Sequence, residues 1–296
     1  MSQTEEQDGI PTVSNPPALP VAESDTKSTH LHNSRSRAKA LAGEYAIDFL
    51  ITREAEHDLL ERARLREHNE VKRQQENLEQ ISKLAYDSCG EEKAGIPDPD
   101  WMHYFLSIAK NIRSTAMQKL WSRVLKQEIT TPGTTSIHTL DTLRKMTQRE
   151  AQMFHRACML ACHFGGDEHK KLLTGVTPRQ TALRLFRPRP ADKLPLGGFQ
   201  LPYSSLLILM DLGLILRGEL ESGEIATDSP LAFGYQGYQY RLRTPKKGIT
   251  FTYYRFSPTG QEIASLLGNK HHEPFKESLL EILAKHFVVE EVQQPT

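Results

Sequence analysis

Between residues 101 and 164, helix caps, apolar stripes and stop signals follow one another so regularly that packed helices are the natural reading. Asp100 reads as an N-cap for a helix to about Ile112, because its short side chain can accept a bond from an otherwise orphaned backbone N–H. Trp101, Phe105, Ile108 and Ala109 fall on one face of that helix. Ser114 caps a second helix, with Met117, Leu120, Trp121, Val124 and Leu125 as its buried stripe. Thr131, Pro132 and Gly133 form a tight turn. Ser136 caps a short helix carrying Ile137, Leu140, Leu143 and Met146. Thr147 and Glu150 make a capping box for a fourth helix, which carries Met153, Phe154, Ala157, Cys158, Ala161 and Cys162. Gly165 and Gly166 are read as its stop. Residues 98–166 are therefore expected to form a helical bundle.

The flanks read differently. Residues 1–36 are polar and Pro-rich, with too little apolar surface to offset ordering entropy, so a disordered tail is expected. Residues 37–90 read as a long charged helix, with opposite-sign i,i+4 pairs at Arg66 and Glu70, Lys72 and Glu76, and Glu79 and Lys83. Two readings fit it: a solvated helix with a narrow packing seam, or a coiled-coil stalk for self-association. Pro97 and Pro99 end it. Residues 167–200 lose periodicity and read as a linker. Beyond it come a short apolar helix stopped by Gly213, strand-like stretches at 214–216, 238–243 and 249–256, a helix opened by Ser257 and Pro258, and a last helix at 274–288. The strings LMDLGLI and YRFSPTGQEIASLLG resemble pieces of winged-helix domains, which implies a winged-helix-like α+β domain over residues 200–290. The fold class expected is mainly α: a long N-terminal helix, a helical bundle and that C-terminal domain.

Composition narrows the function classes. Lys+Arg and Asp+Glu balance at 37 each, which argues against a chain that coats nucleic acid or an anionic membrane non-specifically. Cys89, Cys158 and Cys162 are an odd, sparse set, read as reduced thiols in a cytoplasmic protein. The acidic N-terminus has no apolar core and is not read as a secretory signal. No apolar run approaches the roughly 20 residues needed to span a bilayer.

Three sets of residues invite a chemical reading. His155, Cys158 and Cys162 would share one helical face at i, i+3 and i+7, yet they match no zinc spacing. The favoured reading packs the cysteines into a core, with no metal and no cofactor. Arg123 and Glu128 are five apart and do not pair along a helix, so structural bonds elsewhere are expected of them. Arg241, Arg243, Lys246, Lys247 and Arg255 surround the wing-like hairpin and are the candidate nucleic-acid contacts, interleaved with Tyr238, Tyr240, Tyr253 and Tyr254. Against that reading, the nearest recognition helix, 202–212, is mostly apolar. No phosphate-cradling Lys loop, no G-x-S-x-G elbow and no H-E-x-x-H helix occurs.

Leu120, Trp121, Arg123, Leu125, Glu128, Pro132, Gly133, Ser136, Thr139, Leu140, Leu143, Glu150 and Phe154 resemble a helical module of uncharacterised bacterial proteins. Some proteins with similar modules are grouped with abortive-infection-type phage-defence proteins. The resemblance implies no reaction and no catalytic residues. The expected function is a non-enzymatic protein-interaction or regulatory role, through a protein partner or self-association. A winged-helix nucleic-acid-binding regulator is the alternative.

Overall fold

The computed structural model describes residues 33–53, 58–178 and 191–292. Residues 1–32 of the tail expected at 1–36 lie outside the described residues, as do Arg179, Arg184, Arg187 and Arg189 of the expected linker. The chain divides into two compact units, residues 1–69 and 70–296.

In the first unit, α1 (Ser34–Glu44) is capped by Asn33, whose side chain accepts from the N–H of Ser36 at 2.8 Å. One continuous helix was the expectation here, and the chain breaks it twice. Ala46 and Arg53 take left-handed φ values of 53° and 55°, which an α-helix cannot contain. Between them lies α2 (Phe49–Thr52). The Asp58 side chain accepts from the N–H of Glu61 at 2.8 Å, at the start of α3 (Leu59–Ser88). The Arg62 guanidinium lies 4.1 Å over the Phe49 ring.

In the second unit, the far end of α3 buries Ile81 and Ala85. The cap of α4 (Pro99–Ala109) lies two residues before the expected Asp100. Asp98 is the cap, accepting from the N–H groups of Asp100 and Trp101, and Pro99 occupies the first turn, where its missing N–H costs nothing. α5 (Thr115–Thr130), α6 (Ile137–Lys145) and α7 (Gln148–Leu160) start after Ser114, Ser136 and Thr147, and the capping box of Thr147 and Glu150 is formed. Trp101 stacks on Phe105 at 5.2 Å, and Phe105 leans on Trp121 at 5.4 Å.

The fold class needs correction. The described residues are about 53% helical and 18% strand, and the strands form one eight-stranded antiparallel sheet. This is an α+β protein rather than a mainly α one. α7 ends at Leu160, and the next residues form β1 (Cys162–Phe164) instead of further helix. Gly165 and Gly166 both have positive φ, 79° and 71°, and close a two-residue hairpin from β1 into β2 (Asp167–Pro178). The expected linker thus contains the sheet's longest strand. β3 (Asp192–Lys193) pairs with β2, and α8 (Tyr203–Asp211) follows. Then come β4 (Leu220–Glu221), β5 (Leu231–Tyr235), β6 (Tyr238–Arg243), β7 (Ile249–Arg255), α9 (Pro258–Leu267), α10 (Glu273–Ala284) and β8 (Val288–Val292).

The sheet order is β4-β7-β2-β1-β5-β6-β8, with β3 beside β2. β6 and β7 are consecutive in sequence but do not pair, so the wing expected of them is not formed. Instead Gln236 and Gly237 turn β5 into β6, and β7 returns to flank β2. Phe164 lies parallel to Phe233 at 6.0 Å and meets Phe251 edge-on at 5.0 Å, joining three strands through one aromatic cluster. Phe154 of α7 reaches Phe256 at 5.5 Å, so helices and sheet share a single core.

Lys171, in the middle of β2, is buried. Its ammonium donates to the carbonyls of Phe164, Asp167 and His169 at 3.1, 3.3 and 3.2 Å and pairs with the Asp167 carboxylate at 3.3 Å. Arg255 also reaches that carboxylate, at 3.2 Å. Burial pushes the Asp167 carboxyl upward, but the backbone N–H and ring of His169 and the Lys171 ammonium overcome it and hold the carboxyl below its ordinary value. A depressed folded value stabilises the fold above the unfolded pKa of about 3.9, and that contribution is lost as pH falls below it. The melting temperature is therefore expected to drop on acidification below about pH 4. In Asp167→Asn the drop over that interval should be smaller. Parallel melting curves of the two proteins from neutral to acid pH would contradict this account of the strand.

Candidate functional site

The five candidate nucleic-acid contacts do not form one cluster. Arg241 and Arg243 project from β6, where Arg243 faces Glu290 at 4.0 Å. The Lys246 ammonium donates to the Lys285 carbonyl at 3.2 Å, and Lys247 is exposed beside it. Arg255 sits on β7, separated from β6 by three strands, and is held by Asp167.

The histidine and cysteine set is likewise dispersed. Cys158 is buried in α7, while Cys162 lies past the helix end on β1, its thiol 3.4 Å from the Lys171 carbonyl. Burial pushes both thiols up to about 12, the behaviour of packed, unreactive cysteines. Among the described residues no group of three or more His, Cys, Asp or Glu could hold a metal ion. Glu128 is buried and structural. It accepts the N–H groups of Gly133 and Thr135 at 2.5 and 3.2 Å and so fixes the turn after α5.

Arg123 has a different setting. It lines an open cleft of about 880 Å³ walled by α5, α7, the start of α8 and the end of α9. That volume lies within the roughly 300–1,000 Å³ of small-molecule sites. Lys119, Arg123, Arg149, Arg156 and Lys270 line the cleft, and among the described residues no carboxylate does. Met117, Leu120, Met146, Phe154, Ile263 and Leu267 supply apolar wall. Gln148, Gln152, Gln200 and Ser205 add neutral polar groups. The Arg156 guanidinium donates to the Gln200 amide oxygen at 2.7 Å, and Arg123 reaches the Leu266 carbonyl at 3.5 Å. His155, on the same wall, is held below its ordinary pKa by burial first and then by Lys270, Arg156 and Arg123.

Sequence reading missed this cleft, because its residues come from four elements. One signal was present. Lys119 and Arg123 are like charges at i,i+4, and on α7 the intervening position between Arg149 and Arg156 is Gln152, where a Glu would have paired with either.

In the first unit, the notable feature is exposed apolar surface. Leu41, Tyr45, Ile47, Leu50, Ile51, Leu59, Leu60 and Leu65 are eight of the seventeen exposed large hydrophobics among the described residues, all within twenty-five positions. Leu50 is 86% exposed, Leu59 75% and Leu60 59%. Ala42 is the one buried residue among those described up to residue 69.

The described chain is thus an α+β protein with a single antiparallel sheet, a carboxylate-free cationic cleft and an apolar N-terminal arm. Residues 61–280 match the family described as protein of unknown function, DUF2806, and the chain belongs to that family. No curated protein and no solved structure matches it significantly. Among the described residues no helix is long and apolar enough to cross a membrane.

Proposed function

We propose that this chain is a non-catalytic interaction protein that self-associates through its N-terminal arm, within the described residues 41–53 and 58–65. The observation carrying this reading is the arm's inversion of the usual burial pattern: large apolar side chains outside and almost nothing within. Burying a Leu or Ile side chain contributes about 1.5–3 kcal/mol, so a surface of this kind gains strongly from being covered. A second copy of the chain is the occupant that the charges favour. Residues 34–65 carry six basic and six acidic side chains, so two arms meet without net repulsion. The apolar positions follow no sustained heptad, which favours a compact patch over an extended coiled coil. The three free cysteines support a reducing, cytoplasmic setting. A place in phage defence has its support in the likeness of the module at 120–154.

The double variant Leu50→Asp, Leu60→Asp places charge on the patch at positions whose exposure makes misfolding a small concern. Light scattering is expected to give a multimer for the unaltered chain and a monomer for the variant, with unchanged circular dichroism. The same multimer in both proteins would remove the arm from the contact.

A further inference from the structure

The cationic cleft of the second unit is unexplained by self-association through the arm. The chain as a whole is charge-balanced, with 37 basic and 37 acidic residues, yet among the described residues the cleft gathers five cations and no carboxylate. Elsewhere in the same unit several cations find acids: Arg113 pairs with Glu70, Lys126 with Glu92, Arg217 with Asp211 and Lys285 with Asp192. Among the described residues, none of Lys119, Arg123, Arg149, Arg156 and Lys270 has an ion-pair partner.

Such a cluster costs local stability. Lys119 and Arg123 repel along α5, and neither Gln148 nor Gln152 relieves Arg149 and Arg156 on α7. Glu150, the nearest acid on α7, is turned to its own cap, accepting from the N–H and hydroxyl of Thr147 at 2.7 and 2.8 Å. Local rules broken without local compensation are expected at functional sites. The start of α8 adds to the field. Pro202 and Ser205 of the cleft lie there, and the helix has no side-chain cap on its first N–H groups.

The remaining walls define the rest of the ligand. Met117, Met146 and Met153 are flexible, polarizable side chains that mould to a flat or irregular apolar body. Gln148, Gln152 and Gln200 each offer both a donor and an acceptor, which suits a heterocycle edge better than a bare hydrocarbon. Arginine in three of five cationic positions suits phosphate oxygens, which its planar fork can bind in pairs. We propose that this cleft binds a small molecule carrying two or more phosphate groups on an apolar or heteroaromatic body, with nucleotides and coenzyme A-type thioesters as the two sources of that chemistry.

The test is calorimetric titration of the full chain, in magnesium-free buffer, with ATP, acetyl-coenzyme A and inorganic tripolyphosphate. At least one of the two organic probes is expected to bind with an affinity that falls as salt rises. Tripolyphosphate should bind at least roughly tenfold more weakly than that probe, because it leaves the methionine wall unused. Whichever organic probe binds identifies the source. In Arg123→Gln, Arg156→Gln, affinity should fall by roughly a hundredfold, about tenfold for each lost charge-assisted contact. Lys247→Gln, away from the cleft, should leave it unchanged. A melting-temperature increase from the bound probe, present in the unaltered chain and absent from the double variant, reads the same site independently of the heat signal. The proposal is overturned if no probe binds at millimolar concentration, if the double variant binds as tightly as the unaltered chain, or if tripolyphosphate binds as tightly as both organic probes.

Discussion

Replacing Gly260 with Ala is expected to destabilise the second unit by about 3 kcal/mol or more, a loss in the range reserved for named packing failures. A Cβ at this position would stand 2.0 Å from the Leu214 carbonyl oxygen and 3.0 Å from its carbon. Neither side can retreat cheaply. The Leu214 carbonyl accepts the N–H of Ser257 at 3.0 Å, and the Ser257 hydroxyl donates to the Gly213 carbonyl at 2.5 Å. The N–H of Gly260 in turn donates to the Ser257 hydroxyl oxygen at 3.0 Å, so the α9 cap and the 213–214 backbone form one locked joint. Ala is the better helix former by about 1 kcal/mol, so propensity alone predicts the opposite sign. The backbone collision dominates because it involves main chain on both sides. Thermal unfolding should show a fall of roughly 6–12 °C, using the size dependence of melting temperature for a unit of this length. A Gly260→Ala protein as stable as the parent would mean that α9 and the 213–214 segment are not in contact.

Trp121→Ala is expected to cost about 3–5 kcal/mol, the range for emptying a buried aromatic site. Trp121 is fully buried against Phe105 in the seam of α4 and α5, so the cavity left behind has rigid walls. Trp121→Phe separates volume from polarity. The indole N–H is buried and, among the described residues, has no hydrogen-bond partner. An orphaned donor of this kind carries a penalty of about 1–3 kcal/mol, which Phe would relieve while keeping most of the ring. The Phe variant should therefore lie within about 1.5 kcal/mol of the parent, because relief of the orphaned donor offsets part of the cost of the small cavity it leaves. Urea titration of both variants measures the difference. Equal losses for Ala and Phe would show that the N–H, and not the ring volume, supports this seam.

The helices were legible because their signals are local. Ser114, Ser136, Thr147 and Ser257 each stand where a helix begins, and a cap is specified within four residues. The sheet was largely illegible because its determinants are not local. β2 opens with charge, and its buried cation Lys171 is satisfied by carbonyls that only the folded hairpin supplies. Its Gly175, beside a register shift, reads as a break in a chain seen alone, although it packs closely on β3, where an added Cβ would stand 3.0 Å from the Asp192 carbonyl oxygen. The Gly165 and Gly166 pair is ambiguous by itself, since glycine ends helices and turns hairpins with the same positive φ. What decides between them is pairing, which the alternation in 231–243 hints at and only the β1–β5 ladder completes. The cleft was hidden for the same reason. Its cations lie up to about 150 positions apart, from Lys119 to Lys270, and converge only through the packing of α5, α7 and α9.

Sedimentation equilibrium of the unaltered chain across a wide range of concentration tests the central claim most directly. Self-association through the arm predicts a mass that rises with concentration toward a whole multiple of the 33.6 kDa chain. A mass of 33.6 kDa at every concentration would contradict it.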